Sequence, residues 1–169
     1  MNISKTLLIT IATTCVALLG IALYLQLGEN MLPCPLCVVQ RYVFAAIALI
    51  CVLLLLLPVA ARKVGAWTGM ITALAGAGVA LRHLWVKAHP ALSCGVDPWE
   101  ITLNKIFTAQ LLPVLFKADG MCSTEYEPIL GLSIPQWSLV WFAVFALGFL
   151  IIALLHRKAS ERNVFGRSR

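Results

Sequence analysis

The sequence predicts an all-α integral membrane protein: a four-helix bundle with two non-cytoplasmic loops, the second containing a short interfacial helix. Three observations predict it. The chain of 169 residues is 61% hydrophobic and only 12% charged, which no ordinary soluble domain matches. Four apolar stretches, at about 6–27, 38–57, 66–86 and 137–155, each approach the roughly 20 helical residues that cross a hydrocarbon core of about 30 Å. Finally, the basic residues divide unevenly between the joining segments. Lys5, Arg62, Lys63, Arg157, Lys158, Arg162, Arg167 and Arg169 lie on one side. Lys87, Lys105 and Lys117 lie on the other, beside Glu29, Asp97, Glu100, Asp119, Glu125 and Glu127. The positive-inside rule then puts both termini in the cytoplasm. The formal charge of +6 is thus a topology signal. Its carriers flank spans and do not form one face, so the expected partner is a lipid bilayer and not nucleic acid. Residues 1–169 are read as a single membrane domain.

The first span, Thr6 to Leu27, contains no charged residue. It is too long for a signal-peptide core and no small-residue cleavage site follows, so it is expected to be retained. The first outer loop, about 28–37, contains Pro33 and Pro35. A proline holds the residue before it in extended geometry, so Cys34 should lie outside the second helix. Pro35 suits the first helical position, which leaves Cys34 near the cap and Cys37 in the first turn. Cys34 is accordingly expected on mobile loop backbone and Cys37 fixed to the span.

The second span has Arg41 as its one charge, and the inner turn Pro58–Gly65 is short and basic. The third span contains Gly65, Gly69, Gly76 and Gly78 among alanines. Small residues at such spacing let membrane helices approach closely. In the second outer loop, about 87–136, Trp99, Leu103, Ile106, Phe107, Leu111, Val114 and Leu115 recur at steps of three and four. That pattern suits a short amphipathic helix between Trp99 and Phe116, lying in the membrane interface or packed on the bundle. Pro113 should end or kink it. Trp99 and Trp137 stand where aromatic belts form. The tail from His156 to Arg169 is polar and basic.

Of six cysteines, Cys34, Cys37, Cys94 and Cys122 fall on the outer side and none in a cytoplasmic loop, the usual pattern of disulfide chemistry. Cys15 and Cys51 lie inside spans, where a free cysteine behaves as a small hydrophobe. Cys37 sits at a helix N-terminus, whose partial positive charge favours a thiolate. Arg41, one turn further on the same face, adds a full charge. An arginine within a span costs about 2.5–3.5 kcal/mol on insertion scales, which marks it as functional, with snorkelling to the surface as the alternative.

Cys94 and Cys122 bracket the amphipathic helix. Joined, they would be a staple worth about 3–4 kcal/mol in the chain-entropy model. They would equally serve as a second redox pair exchanging with the first. A zinc site of Cys34, Cys37, Cys94 and Cys122 has only half of the usual paired spacing, and no metal is expected. Near the outer end of the third span, His83 is suited to hydrogen-bond a quinone carbonyl and Arg82 to stabilise the reduced form; both equally suit anchoring of the helix. His89 and His156 are assigned no role.

Cys34-Pro-Leu-Cys37-Val-Val-Gln-Arg41, the second outer pair, Gly131-Leu-Ser-Ile-Pro-Gln-Trp137 and Val164-Phe-Gly-Arg167 together resemble the disulfide-bond formation protein B (DsbB) family over nearly the whole chain. The resemblance implies a bacterial inner-membrane enzyme with its active cysteines facing the periplasm. It would reoxidise a DsbA-type dithiol oxidase and pass two electrons to a membrane quinone, ubiquinone or menaquinone. By the same resemblance Cys94 is attacked by the partner, Cys122 connects transiently to Cys34, and Cys37 faces the quinone with Arg41 beside it. His83 matches a family histidine near the quinone. Two other readings stand beside it. One is a non-catalytic scaffold with a Cys94–Cys122 staple and a metal-binding C-x-x-C. The other is a vitamin K epoxide reductase-like enzyme, in which the C-x-x-C is expected after the loop cysteines and not before them.

Overall fold

The computed structural model describes residues 3–89, 103–122, 124 and 126–166. Four long helices form the bundle: α1 (Ile3–Gly28), α2 (Pro35–Leu56), α3 (Val59–Ala88) and α6 (Ile134–Gly166). Two short ones, α4 (Phe107–Leu111) and α5 (Pro113–Phe116), lie in the second outer loop. Each long helix contains a segment long and apolar enough to cross a membrane. The chain is therefore an all-α, four-helix membrane protein, as its composition predicts. Cys94, Trp99 and the start of the expected amphipathic helix lie outside the described residues.

α3 packs most extensively on α6, and α2 packs on both α1 and α3. The core is a stripe of Phe142, Phe145, Phe149 and Ile152 on α6, facing Ala66, Ala73 and Ala80 on α3 together with Phe44 and Ile47 on α2. Phe44 stacks on Phe142 with ring centroids 4.4 Å apart. Lipid offers no hydrophobic drive for helices to associate, so close packing against small residues has to supply it. Gly69 receives the ring of Phe149 and Gly76 that of Phe142; a Cβ at Gly76 would stand 2.6 Å from a ring carbon. Gly78 faces open space. Cys15 and Cys51 are fully buried in this apolar core, in keeping with their reading as small hydrophobes.

The inner end of the bundle is closed by Arg62, whose Nε donates to the Leu54 carbonyl at 3.1 Å and so satisfies an orphan acceptor of the α2 terminus. At the outer end α6 begins with half of a capping box, the Gln136 side chain reaching back to Ser133. The Ser133 N–H donates to Gln136 Oε1 at 2.7 Å, which fixes where Pro135 and Trp137 enter the helix. Just before it, Leu130 (φ 53°) and Gly131 (φ 82°) form a tight turn between Ile129 and Leu132. Trp137 Nε1 donates to the Ile129 carbonyl at 2.9 Å and holds that turn on the helix.

Pro113 breaks the loop helix as expected, with Leu112 leaving helical geometry at φ −128°, ψ 65°. Ala109 and Phe116 are buried against Val38. Tyr42 stacks on Phe116 with centroids 4.2 Å apart, and its hydroxyl meets Thr108 Oγ1 at 2.6 Å. Phe107, Leu111 and Val114 remain exposed. One face of the α4–α5 pair thus packs on the bundle, and the other presents apolar side chains outward.

Candidate active site

The site is built on the first turn of α2. Cys34 is its N-cap (φ −79°, ψ 165°) and Pro35 its first residue, as the sequence predicts. Cys34 Sγ accepts the Cys37 N–H at 3.4 Å and lies 3.2 Å from Cys37 Sγ. No bond joins the two sulfurs at this distance.

The expectation of a mobile Cys34 is corrected. Cys34 is 3% exposed and is the more buried of the two, Cys37 being half-buried. The reason is the second loop, which folds across the first. The backbone N–H groups of Asp119 and Gly120 both donate to the Pro33 carbonyl at 3.1 Å. Gly120 is needed there because a Cβ would strike the Leu32 carbonyl. The Asn104 side chain pairs with both backbone groups of Ala118, at 2.9 Å each, and braces the same segment. Tyr126 OH donates to the Leu32 carbonyl at 3.3 Å. This clamp brings Cys122 near enough to Cys34 for the two thiols to influence one another's ionisation.

α3 supplies His83, which is 4% exposed. Its Nε2 lies 3.7 Å from Cys34 Sγ and its Nδ1 4.0 Å from Cys37 Sγ. Gln40 of α2, also buried, approaches Nδ1 at 3.4 Å through its side-chain amide. Arg82 is not part of this group. Neighbours on a helix point about 100° apart, and Arg82 turns outward to lie 4.3 Å over the Trp85 ring.

Arg41 does not snorkel; it is buried and donates to three acceptors. These are Gln26 Oε1 at 2.7 Å, the Leu115 carbonyl at 3.0 Å and the Ala22 carbonyl at 3.2 Å. One guanidinium thus joins α1, α2 and the end of α5, which suits the forked geometry of arginine. Its charge stays close enough to act on both Cys34 and Cys37.

Beside these groups lies a cavity of about 330 Å³. Its walls are apolar, with Leu18, Ala22, Leu25, Phe44 and Trp141 among them. Cys37, Gln40, Arg41, His83 and Cys122 converge on it as polar groups. Outside the membrane-spanning segments, two thiols depart from ordinary behaviour in opposite directions. Hydrogen bonding to Cys122 and Cys37, with burial, pushes the Cys34 thiol up. The bond from Cys34 holds the Cys122 thiol down and favours its thiolate.

Of the residues predicted from sequence, Cys34, Cys37, Cys122, Arg41 and His83 therefore come together, and Cys94 lies outside the described residues. Gln26 and Gln40 were missed as functional candidates. The available signal was an uncharged amide at the end of one span and near the start of the next, where burial demands a partner.

A family model described as "Disulfide bond formation protein DsbB" matches residues 4–152. Similar proteins bear the name Disulfide bond formation protein B. The one from Herminiimonas arsenicoxydans is 55% identical over 159 residues, covering 94% of this chain and 100% of that one. Those from Cupriavidus necator and Ralstonia nicotianae are 40% and 41% identical, covering 94% and 92% of this chain and 98% and 96% of theirs.

Proposed function

The chain belongs to the DsbB family of disulfide bond formation proteins, and from that premise we propose that it is a quinone-dependent protein-dithiol oxidase of the bacterial inner membrane. In this reading it reoxidises a periplasmic DsbA-type thiol oxidase by thiol–disulfide exchange and passes two electrons to ubiquinone or menaquinone. The observation that carries the reading is the apolar cavity beside Cys37, with Arg41 and His83 converging on it and Cys122 held against Cys34.

The residues fit a quinone ring. A cavity of about 330 Å³ is within the range of about 300–1,000 Å³ typical of small-molecule sites, and like them it combines apolar walls with a few polar groups. Arg41 and His83 would hold the ring's oxygens, and Leu18, Phe44 and Trp141 its faces. A bound quinone supplies a two-electron, two-proton acceptor for reoxidation of the Cys34–Cys37 dithiol.

The chain's own part is exchange between two pairs. The partner's thiolate attacks Cys94 of a Cys94–Cys122 disulfide, forming a mixed disulfide and releasing Cys122 as thiolate. Cys122 then attacks Cys34 of a Cys34–Cys37 disulfide, forming Cys34–Cys122 and releasing Cys37 as thiolate. The partner's second thiolate resolves the mixed disulfide, leaving the partner oxidised and Cys94 reduced. Cys94 attacks Cys122, which restores Cys94–Cys122 and leaves both electrons on Cys34 and Cys37. The proximity of Cys122 to Cys34 supports the second step, because each thiol acts on the other's ionisation. The nearby charge of Arg41 stabilises the released Cys37 thiolate.

A quinone is needed on energetic grounds. DsbA is an established strong oxidant at about −120 mV, and ordinary protein disulfides are too reducing to reoxidise it.

The test is an absorbance scan of purified, quinone-free protein with quinone added back. A thiolate–quinone charge-transfer band is expected, and it should vanish in Cys37→Ser and in Arg41→Ala. Cys37→Ser should also abolish quinone reduction, whereas Cys94→Ser should block only the partner. Normal turnover of a DsbA-type partner by Cys37→Ser would overturn the assignment.

A further inference from the structure

The atoms at the head of the cavity also meet the requirements of a metal site. Cys34 Sγ, Cys37 Sγ and a ring nitrogen of His83 lie within 4.8 Å of one another, and among the described residues they form the one such group. Zinc bound by sulfur at about 2.3 Å and nitrogen at about 2.0–2.1 Å in a tetrahedron has ligand edges of about 3.5–3.8 Å. The sulfurs are 3.2 Å apart and Cys34 Sγ is 3.7 Å from His83 Nε2, while the 4.0 Å approach of Cys37 Sγ is to the other ring nitrogen, Nδ1. The donors are thus already gathered at nearly the spacing a tetrahedral ion needs.

Their chemistry narrows the ion. Two thiols and an imidazole suit soft or borderline cations, while calcium and magnesium need oxygen ligands that this group lacks. Gln40 Nε2 lies 3.4 Å from Nδ1; metal at Nε2 leaves the proton on Nδ1, so the amide must turn its oxygen to accept it, as outer-shell partners of metal-bound histidines do. Two thiolates and a neutral imidazole around a divalent ion leave no net charge, which suits the apolar cavity beside them.

We propose that the dithiol form of the protein binds one zinc ion, or its congener cadmium, through Cys34 Sγ, Cys37 Sγ and the His83 imidazole, with a solvent molecule as fourth ligand. Each coordinating thiol releases its proton as it binds, and no sulfur changes oxidation state. A Cys34–Cys37 disulfide has no thiolate to offer, so metal and disulfide exclude one another. The metal therefore holds the pair reduced; that this also stops turnover rests on the redox reading above. The site differs from a loop tetrathiolate in using a histidine from a membrane helix in place of the loop cysteines Cys94 and Cys122.

The test uses the full chain in detergent, quinone-free and reduced, titrated with Co²⁺ without oxygen. One equivalent should give the visible bands of tetrahedral thiolate-bound cobalt, and Zn²⁺ should bleach them. Protein oxidised at Cys34–Cys37 should give none. His83→Ala should weaken binding by about tenfold or more, while Cys94→Ser and a Cys15→Ala, Cys51→Ala double variant should leave it unchanged. Protection of Cys34 and Cys37 from alkylation by Zn²⁺, read by mass spectrometry on the unsubstituted chain, provides a readout that needs no variant to fold. Absence of tetrahedral cobalt bands, absence of zinc protection, or loss in Cys94→Ser with retention in His83→Ala would each overturn the proposal. None of these readouts involves quinone or a protein partner, so they stand or fall apart from the redox assignment.

Discussion

Arg41 spends its charge inside the protein, and its partners decide what that costs. Three acceptors from two other segments meet the guanidinium, the shortest bond being to Gln26 at 2.7 Å. A hydrogen bond to a charged group is worth about 1.5–3 kcal/mol. Gln26→Leu is therefore expected to lower stability by about that amount, read as a fall in the thermal unfolding midpoint in detergent. The cysteines give a pH-dependent prediction. The thiolate is the reactive form, so a lowered pKa brings reaction on at lower pH and a raised one delays it. Cys122 is held down and Cys34 pushed up. In the reduced protein, alkylation of Cys122 should thus begin at lower pH than that of Cys34, as followed by mass spectrometry across a pH series. The reverse order would show that Cys34 is not the proton donor of the pair. At this scale the sequence was legible where spacing along one helix sets the contact, as for Cys34 at the cap and Cys37 in the first turn. It was not legible for Gln26 and Gln40, whose importance comes from what other helices bring to them.

Between elements, two contacts hold the site in shape. The first is the α3–α6 seam, where aromatic rings from α6 sit on glycines of α3. Gly76→Val should force Phe142 away and destabilise the bundle by about 1–3 kcal/mol, as overpacking does. Gly78→Ala meets nothing and should be neutral or stabilising by up to about 1 kcal/mol from helix propensity. Comparing the two variants' unfolding midpoints separates close packing from a general intolerance of change in α3. The second contact is the clamp of loop on loop. Asn104→Ala removes both bonds to Ala118. Leaving buried groups unpaired costs about 1–3 kcal/mol each. Alkylation of Cys122 should accelerate in this variant while helical content by circular dichroism stays unchanged. The glycine pattern of the third span pointed to close packing, and the rings of α6 are what fill it. The amphipathic loop helix was legible as a periodicity, but not the division of its faces between the bundle and the outside. That division depends on which residues Val38 and Tyr42 present to it.

For the whole molecule, the bundle sets the depth of the chemistry. The sulfurs sit at the N-terminal end of α2, beyond an apolar core that contains Cys15 and Cys51. A membrane-impermeant maleimide added to spheroplasts should label Cys122 in the reduced protein and leave Cys15 and Cys51 unlabelled until detergent is added. Labelling of Cys122 only after permeabilisation would reverse the orientation that the basic residues predict.

Composition and local spacing alone determined four helices, their apolar lengths, and the caps and turns around Cys34 and Cys37. These follow from the thickness of a bilayer and from the 3.6-residue repeat, both of which act along a single segment. The tertiary structure decided that His83 and not Arg82 faces the sulfurs. It also decided that Arg41 is anchored by Gln26, that Cys122 is brought to Cys34, and that Cys34 is buried. Each of these depends on the rotation of one helix against another, or on one loop folding over another. Such contacts join residues far apart in the chain, and no periodicity within a segment encodes them.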